Sequence, residues 1–130
     1  MSEVAGVGID IAEVDRVAEL VERHGKRFLE RVFTRRELEY CLGRKRQNEH
    51  LAARFAAKEA VSKALGTGIG ASVGWRDIEV VRESVGRVHI VLSGGARQVA
   101  EKLRIMRIHI SLSHTHAYAA AHAVAVAREA

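Results

Sequence analysis

The spacing of hydrophobic and polar positions changes several times along this chain, and each change marks an element. Val4 to Ile11 is a short apolar run with glycines at 6 and 8, the pattern of a buried strand. From Glu13 to His24 the period becomes helical, with Val14, Val17, Ala18 and Val21 facing inward and Gly25 placed to end the helix. Thr34 and Glu37, three residues apart, form a capping box, and Phe33 and Leu38 stand where a hydrophobic staple would be. This predicts a short helix towards Leu42 and Gly43. A polar loop, RKRQNE, then separates it from a long alanine-rich helix over residues 51–66, LAARFAAKEAVSKALG.

After a GTGIG run, Trp75 to Val81 and Val88 to Leu92 read as strands joined by a turn near Ser84–Gly86. Gly95 to Leu103 predicts a short helix. Ile108, Ile110 and Leu112 alternate with His109, Ser111 and Ser113, as in a half-buried strand. In the closing AYAAAHAVAVA alanine favours helix. The Ala/Val alternation after a turn at Thr115–His116 favours a strand, the hairpin partner of the one before, and we assign strand. No linker, repeat or low-complexity tract divides the chain, so one domain spanning residues 1–130 is expected.

Composition narrows the class. Of 130 residues, 48% are apolar and 28% charged, the balance of a globular chain able to bury an ordinary core. Cys41 is the one cysteine, so no internal disulfide forms, which fits a reducing cytoplasm. No apolar run is long enough to cross a bilayer, and MSEVAGVGID opens on an acid, so neither a membrane span nor a signal peptide is expected. Proline is absent, leaving turns to glycine, asparagine and serine.

The net charge of +5 is localised. Between Arg16 and Arg46 there are ten Lys/Arg against five Asp/Glu, and the rest of the chain is neutral. Charge alone fits two readings equally: an acidic partner docking there, or a solvated helical surface. Nucleic acid is not the expected partner, because three Phe, two Tyr and one Trp supply few stacking platforms.

Candidate chemistry centres on two carboxylates. Asp10 ends an apolar strand, where it serves either as an N-cap for the next helix or as a ligand. Glu59 is either a surface partner of Lys63 at i+4 or a second carboxylate for a hard cation. The small residues around it (Ala56, Ala57, Ala60) permit close approach of another backbone or a ligand. Two carboxylates from separate elements suit magnesium, which keeps waters and takes further ligands from substrate phosphates. Zinc is not expected, since His109, His114, His116 and His122 lack a ligand spacing. Gly66 to Gly70 contains G-x-G but follows a helix, which excludes the dinucleotide fingerprint and leaves a C-cap and loop.

Taken together, GIDIAEVDRV, the F-T-x-x-E box at Phe33–Glu37, LAARFAAKEAVSKALG and HISLSHTHAYAAA resemble the holo-acyl-carrier-protein synthases. These are the short, trimeric class of the 4′-phosphopantetheinyl transferase superfamily. The resemblance implies an α+β single-domain fold, a small antiparallel sheet packed on the long alanine-rich helix. It also implies transfer of 4′-phosphopantetheine from coenzyme A to a serine of apo acyl carrier protein, giving the holo carrier and adenosine 3′,5′-bisphosphate. The chain would then be a cytoplasmic transferase of lipid metabolism, with the carrier (fatty acid, polyketide or peptide) left open.

The resemblance assigns roles by position. Asp10 and Glu59 would bind Mg2+, with the coenzyme A diphosphate and waters completing its shell. Lys63 would neutralise the diphosphate and stabilise or protonate the leaving phosphate. Either Glu59 or a water on the metal would take the serine proton. Arg54, His114 and Thr115 match residues around the adenosine and its 3′-phosphate, contributed by a neighbouring subunit of a homotrimer. Ser62 and Gly66 match the pantetheine-diphosphate path, and Gly86–Arg87 the adenine-side turn, with Val88 standing where the family commonly has proline. Arg16, Leu20, Arg23 and Arg27 fall on one stripe, joined at its edge by Lys26, where the acidic helix of the carrier would dock. The alternative function is a binding module for an anionic partner, in which the carboxylates are structural.

Overall fold

A computed structural model describes residues 2–129. Strand β1 (Ser2–Glu13) leads into helices α1 (Val14–His24), α2 (Lys26–Val32), α3 (Arg35–Cys41) and α4 (Gln47–Ala64). A 3₁₀ turn at Trp75–Asp77 precedes β2 (Ile78–Arg82) and β3 (Val88–Leu92), then α5 (Gly94–Lys102), β4 (Ile105–His114) and β5 (Tyr118–Arg128). The strands form two antiparallel sheets, one ordered β1-β5-β4 and one pairing β2 with β3. The α+β expectation holds, with the larger sheet packed against α4.

Alternation along β5 explains that packing. Ala119, Ala121, Ala123, Ala125 and Ala127 are buried, and they lie against a helix whose own contact residues include Ala56, Ala57, Ala60 and Ala64. Small side chains on both surfaces let strand and helix approach closely. On β1 the approach closes to backbone contact. A Cβ at Gly6 would lie 2.1 Å from the Ala64 carbonyl oxygen, and the same backbone contact recurs at Gly8 with Ala60. Only glycine fits at either position.

A buried ion pair anchors the other side of α4. Lys58 Nζ lies 2.8 Å from Glu37 Oε1, with both side chains fully enclosed. Lys58 also donates to the carbonyls of Trp75 and Ile78, while Glu37 accepts from the Val80 and Thr34 amides. Every strong donor and acceptor of the pair is thus matched, as burial in low dielectric requires. Glu37 is also the partner of Thr34 in the capping box foreseen there, so one carboxylate caps α3 and holds α4. Cys41 is buried beneath these helices, and burial pushes its thiol up to about 11 against the opposing charge of Arg54.

Several boundaries differ from expectation. Residues 26–32 form α2, a helix not foreseen, because Gly25 at φ 52° breaks the chain and the helical pattern resumes at once. α4 begins at Gln47, so half of the polar RKRQNE stretch is helical rather than loop. Trp75–Asp77 is a 3₁₀ turn, not the start of a strand. The closing Ala/Val segment is a strand, as its alternation predicts.

Candidate active site

β1 alternates faces, and this parity sets the site. Gly6 and Gly8 face α4, so Asp10, next in the same series, also comes beneath that helix. There Lys63 Nζ donates to Asp10 Oδ1 at 3.2 Å and to the Ile9 carbonyl at 3.0 Å. Asp10 therefore does not cap α1, whose N-cap is Glu13 without a side-chain cap bond. Lys63 pairs with Asp10 across elements, not with Glu59 along its own helix. Glu59 and Asp10 line one cleft of roughly 200 Å³ with Phe55, Arg16 and Leu20. Burial, and then the charge of Asp10, hold the Glu59 carboxyl above its usual range, with Lys63 pulling the other way.

Arg16 and Leu20 on α1 thus border the carboxylate cleft, and Arg23 continues the exposed side of the same helix, where it pairs with Glu19. The stripe does not run unbroken to Arg27 as one helix would carry it. Gly25 separates α1 from α2, and Arg27 instead borders a second hollow with His24, Phe28 and Arg31. Lys26 and Arg27 are exposed at the start of α2.

A second cluster surrounds Arg54. Its residue is 2% exposed, and Nη1 donates to the His50 carbonyl at 3.3 Å. The guanidinium stacks 4.4 Å from the Tyr40 ring centroid, with Arg44 at 3.9 Å and Arg82 at 5.6 Å from the same ring. Arg54 Nε and Nη2 find no acceptor among the described residues. Three guanidiniums converge here without a carboxylate against Arg54, the arrangement of an anion subsite. Burial, followed by the charges of Arg54 and His114, holds His50 below its usual imidazole range.

His114 closes this cluster from the end of β4. Its Nδ1 lies 3.0 Å from Glu49 Oε1, and His116 Nδ1 lies 3.3 Å from Glu49 Oε2. Thr115 organises the turn between them, its Oγ1 accepting from the Ala117 and Tyr118 amides. Tyr40, Arg44, Glu49, His50 and Arg82 escaped the sequence reading, since their spacing carries no periodic signal and only the fold brings them together.

The remaining candidates divide. Gly86 and Arg87 occupy the β2–β3 turn, Gly86 at φ 87°, and border a polar cleft of roughly 670 Å³ with Arg82, His89 and His109. Gly66 is exposed just past α4, one turn beyond Lys63. Ser62 stands apart: it is fully buried, and its hydroxyl donates back to the Glu59 carbonyl at 2.7 Å. That bond steadies the turn carrying Glu59 but offers the hydroxyl to no ligand.

The two clusters open on different sides of α4. Arg54 and Glu59 are five residues apart, which separates them by about 140° around the helix and about 7.5 Å along it. No cluster of three or more His, Cys, Asp or Glu in metal-binding arrangement occurs among the described residues. Asp10 and Glu59 form a sparser set that suits magnesium. They are two carboxylates in one cleft, one of them destabilised as an anion by the other, and a hard cation would relieve that repulsion.

Comparison with known proteins agrees with this geometry. A profile of the 4′-phosphopantetheinyl transferase superfamily matches residues 6–127. A holo-[acyl-carrier-protein] synthase from Moorella thermoacetica is 54% identical over 88% of this chain and 88% of its own length. The crystal structure of the Neisseria meningitidis holo-[acyl-carrier-protein] synthase superposes with a TM-score of 0.87 at 32% identity, covering 95% of this chain and 98% of that one. That of the Bacillus anthracis enzyme, in complex with CoA (3′,5′-ADP), gives 0.80 at 36% identity over 96% and 98%. The chain that brings Asp10 of β1 against Glu59 and Lys63 of its alanine helix belongs to the 4′-phosphopantetheinyl transferase superfamily, among the holo-[acyl-carrier-protein] synthases.

Proposed function

We propose that this protein transfers the 4′-phosphopantetheine group of coenzyme A to a serine of an apo acyl carrier protein, with Mg2+, releasing adenosine 3′,5′-bisphosphate. The observation that carries this reading is the joining of Asp10, Glu59 and Lys63 from β1 and α4 beside one cleft. Asp10 and Glu59 would hold the cation, which when bound withdraws charge from the phosphoryl oxygens. Lys63 has a third donor beyond its bonds to Asp10 and Ile9, and directs it to the diphosphate. The serine oxygen attacks the phosphorus bearing pantetheine, and the bridging P–O bond breaks towards the adenosine side. Lys63 stabilises the leaving phosphate. Glu59 accepts the serine proton directly or through a water.

Two further features support an interface site. Val4, Val7, Ile9 and Ile11 on the outer face of β1 are 59–65% exposed, a row of apolar side chains that further copies of the chain would cover. The Arg54 subsite and the carboxylate cleft face away from each other, so one coenzyme A reaches both only across two subunits. A homotrimer satisfies both demands. Arg54 and His114 of one subunit, with the Gly86–Arg87 turn, then hold the adenosine and its 3′-phosphate. Asp10, Glu59 and Lys63 of the next hold the diphosphate.

The carrier protein approaches over Arg16, Leu20, Arg23, Lys26 and Arg27, with Leu20 as the apolar anchor for an acidic helix. Arg16 and Leu20 border the carboxylate cleft, so a helix docked there delivers its serine beside Glu59. No helix is long and apolar enough to cross a membrane among the described residues, and the buried free Cys41 fits a cytoplasmic site of action.

Intact-protein mass spectrometry of an apo acyl carrier protein, incubated with this chain, coenzyme A and magnesium, tests the proposal. A gain of one phosphopantetheine that EDTA abolishes is expected. Binding of an acidic partner without any gain would favour the alternative, an anion-binding module built on the basic helices.

A further inference from the structure

Among the described residues Glu49 is the one carboxylate in the Arg54 cluster, and it faces histidines instead of arginines. It sits in the first turn of α4 and is almost wholly buried. Burial pushes its carboxyl up, but the hydrogen bond from His114 and the charges of His116 and Arg46 outweigh this and hold it below the usual carboxylate range. It is therefore an anion that only accepts hydrogen bonds. Facing it at 3.0 Å, His114 Nδ1 must carry the proton. Its Nε2 has no partner among the described residues, on a side chain 28% exposed. His116 occupies the second oxygen from a position that is nearly free in solvent.

We infer that Glu49 is a positioning residue of the nucleotide subsite: by accepting a hydrogen bond from Nδ1–H of His114 it fixes that ring's orientation and turns Nε2 outward, where the protonated ring donates Nε2–H to the 3′-phosphate. The inference rests on the assignment of this cluster to the adenosine end of coenzyme A. Its chemistry is that of a carboxylate–histidine pair, in which the buried acid orients an imidazole that touches the ligand. The surroundings leave Glu49 this role alone. Arg54 is stacked on Tyr40 and bonded to the His50 carbonyl, and His50 lies edge-on to the His114 ring at 5.7 Å. Through His116 and the Thr115 turn, the same carboxylate ties the β4–β5 connection to the start of α4. Losing Glu49 frees the ring to rotate, releases its neutral tautomer and removes the anion that favours the doubly protonated ring, without removing any group that contacts phosphate.

The test uses the intact protein and two readouts. Long-range 1H–15N spectra, recorded above the range where imidazoles titrate, report the His114 tautomer, with its signals identified by their loss in His114→Gln. Titration with adenosine 3′,5′-bisphosphate reports the subsite. Wild type should show the Nδ1–H form. Glu49→Ala should lose that preference, bind the nucleotide about tenfold more weakly, and raise KM for coenzyme A more than it lowers kcat. Glu49→Gln keeps an acceptor, so it should retain the tautomer and recover part of the affinity, and it serves as the folded reference if the alanine variant is unstable. An unchanged tautomer and affinity in Glu49→Ala would overturn the inference while leaving the subsite intact. A wild type that binds no nucleotide would overturn the subsite, and this inference with it.

Discussion

A Cβ at Gly8 would stand 1.9 Å from the carbonyl oxygen of Ala60. The strand and the alanine helix meet backbone to backbone there, and the contact brings Asp10, two residues further along, within reach of Lys63. Gly8→Ala forces the two apart. It should cost about 1–3 kcal/mol of stability, as overpacking of a filled core does, and weaken turnover as well. Urea unfolding and the carrier-modification assay read the two effects. A variant as stable and active as wild type would mean that the approach is looser than this geometry.

Asp10→Ala and Glu59→Ala should each lower kcat by on the order of 100-fold or more, the scale for losing a preorganised charge at a reacting centre. Circular dichroism should remain that of the folded protein, since neither side chain lies in the core. Near-normal turnover in either variant would remove that carboxylate from the proposed metal site.

The Glu37–Lys58 pair supports a different expectation. Lys58→Met leaves Glu37 as a buried anion without a cation and should destabilise by about 3–5 kcal/mol. Glu37→Gln combined with Lys58→Met should cost less than the two single changes summed, because no charge is left unpaired. A double-mutant cycle with no coupling would show that the pair is not the anchor of α4.

His50 makes stability pH-dependent. Its folded pKa lies below the ordinary 6.5, so between these values the unfolded chain binds more protons than the native one. Its contribution is therefore fully present above about 6.5 and is lost as pH falls through the lower, folded value. Unfolding free energy should decline on that acid side, and His50→Gln should flatten the decline. Parallel profiles for the two proteins would show that His50 is not held neutral.

Arg23→Glu should raise KM for the carrier protein more than KM for coenzyme A, and the gap should narrow as salt screens the proposed docking surface. Arg23 is exposed on α1 and its partner Glu19 is equally exposed, so the surface pair itself contributes little to stability. Equal effects on both substrates would place carrier docking elsewhere.

Much of this protein was legible in its residues because the information was local. The Thr34–Glu37 capping box, the turn at Gly86 and the alternation of the closing strand each rest on neighbours within a few positions, and each appears in the structure. Family membership was legible too, since its motif residues keep their order and spacing. The alanines of residues 51–66 showed a helix made for close packing without showing against what.

Tertiary structure decided the rest, for the reason that it joins residues distant along the chain. Whether Lys63 would pair with Glu59 or Asp10 depended on how closely β1 could lie on α4, and two missing Cβ atoms settled that. Ser62 and Arg54 are both polar residues of one helix. Only packing turned the hydroxyl inward onto Glu59 and gathered Tyr40, Arg44 and Arg82 around the guanidinium. Glu49 and His114 stand 65 residues apart, and no periodicity links them. Local preferences are set by steric and hydrogen-bonding terms within a turn or a strand pair. A site is set by which faces the core leaves open, and that depends on the whole fold.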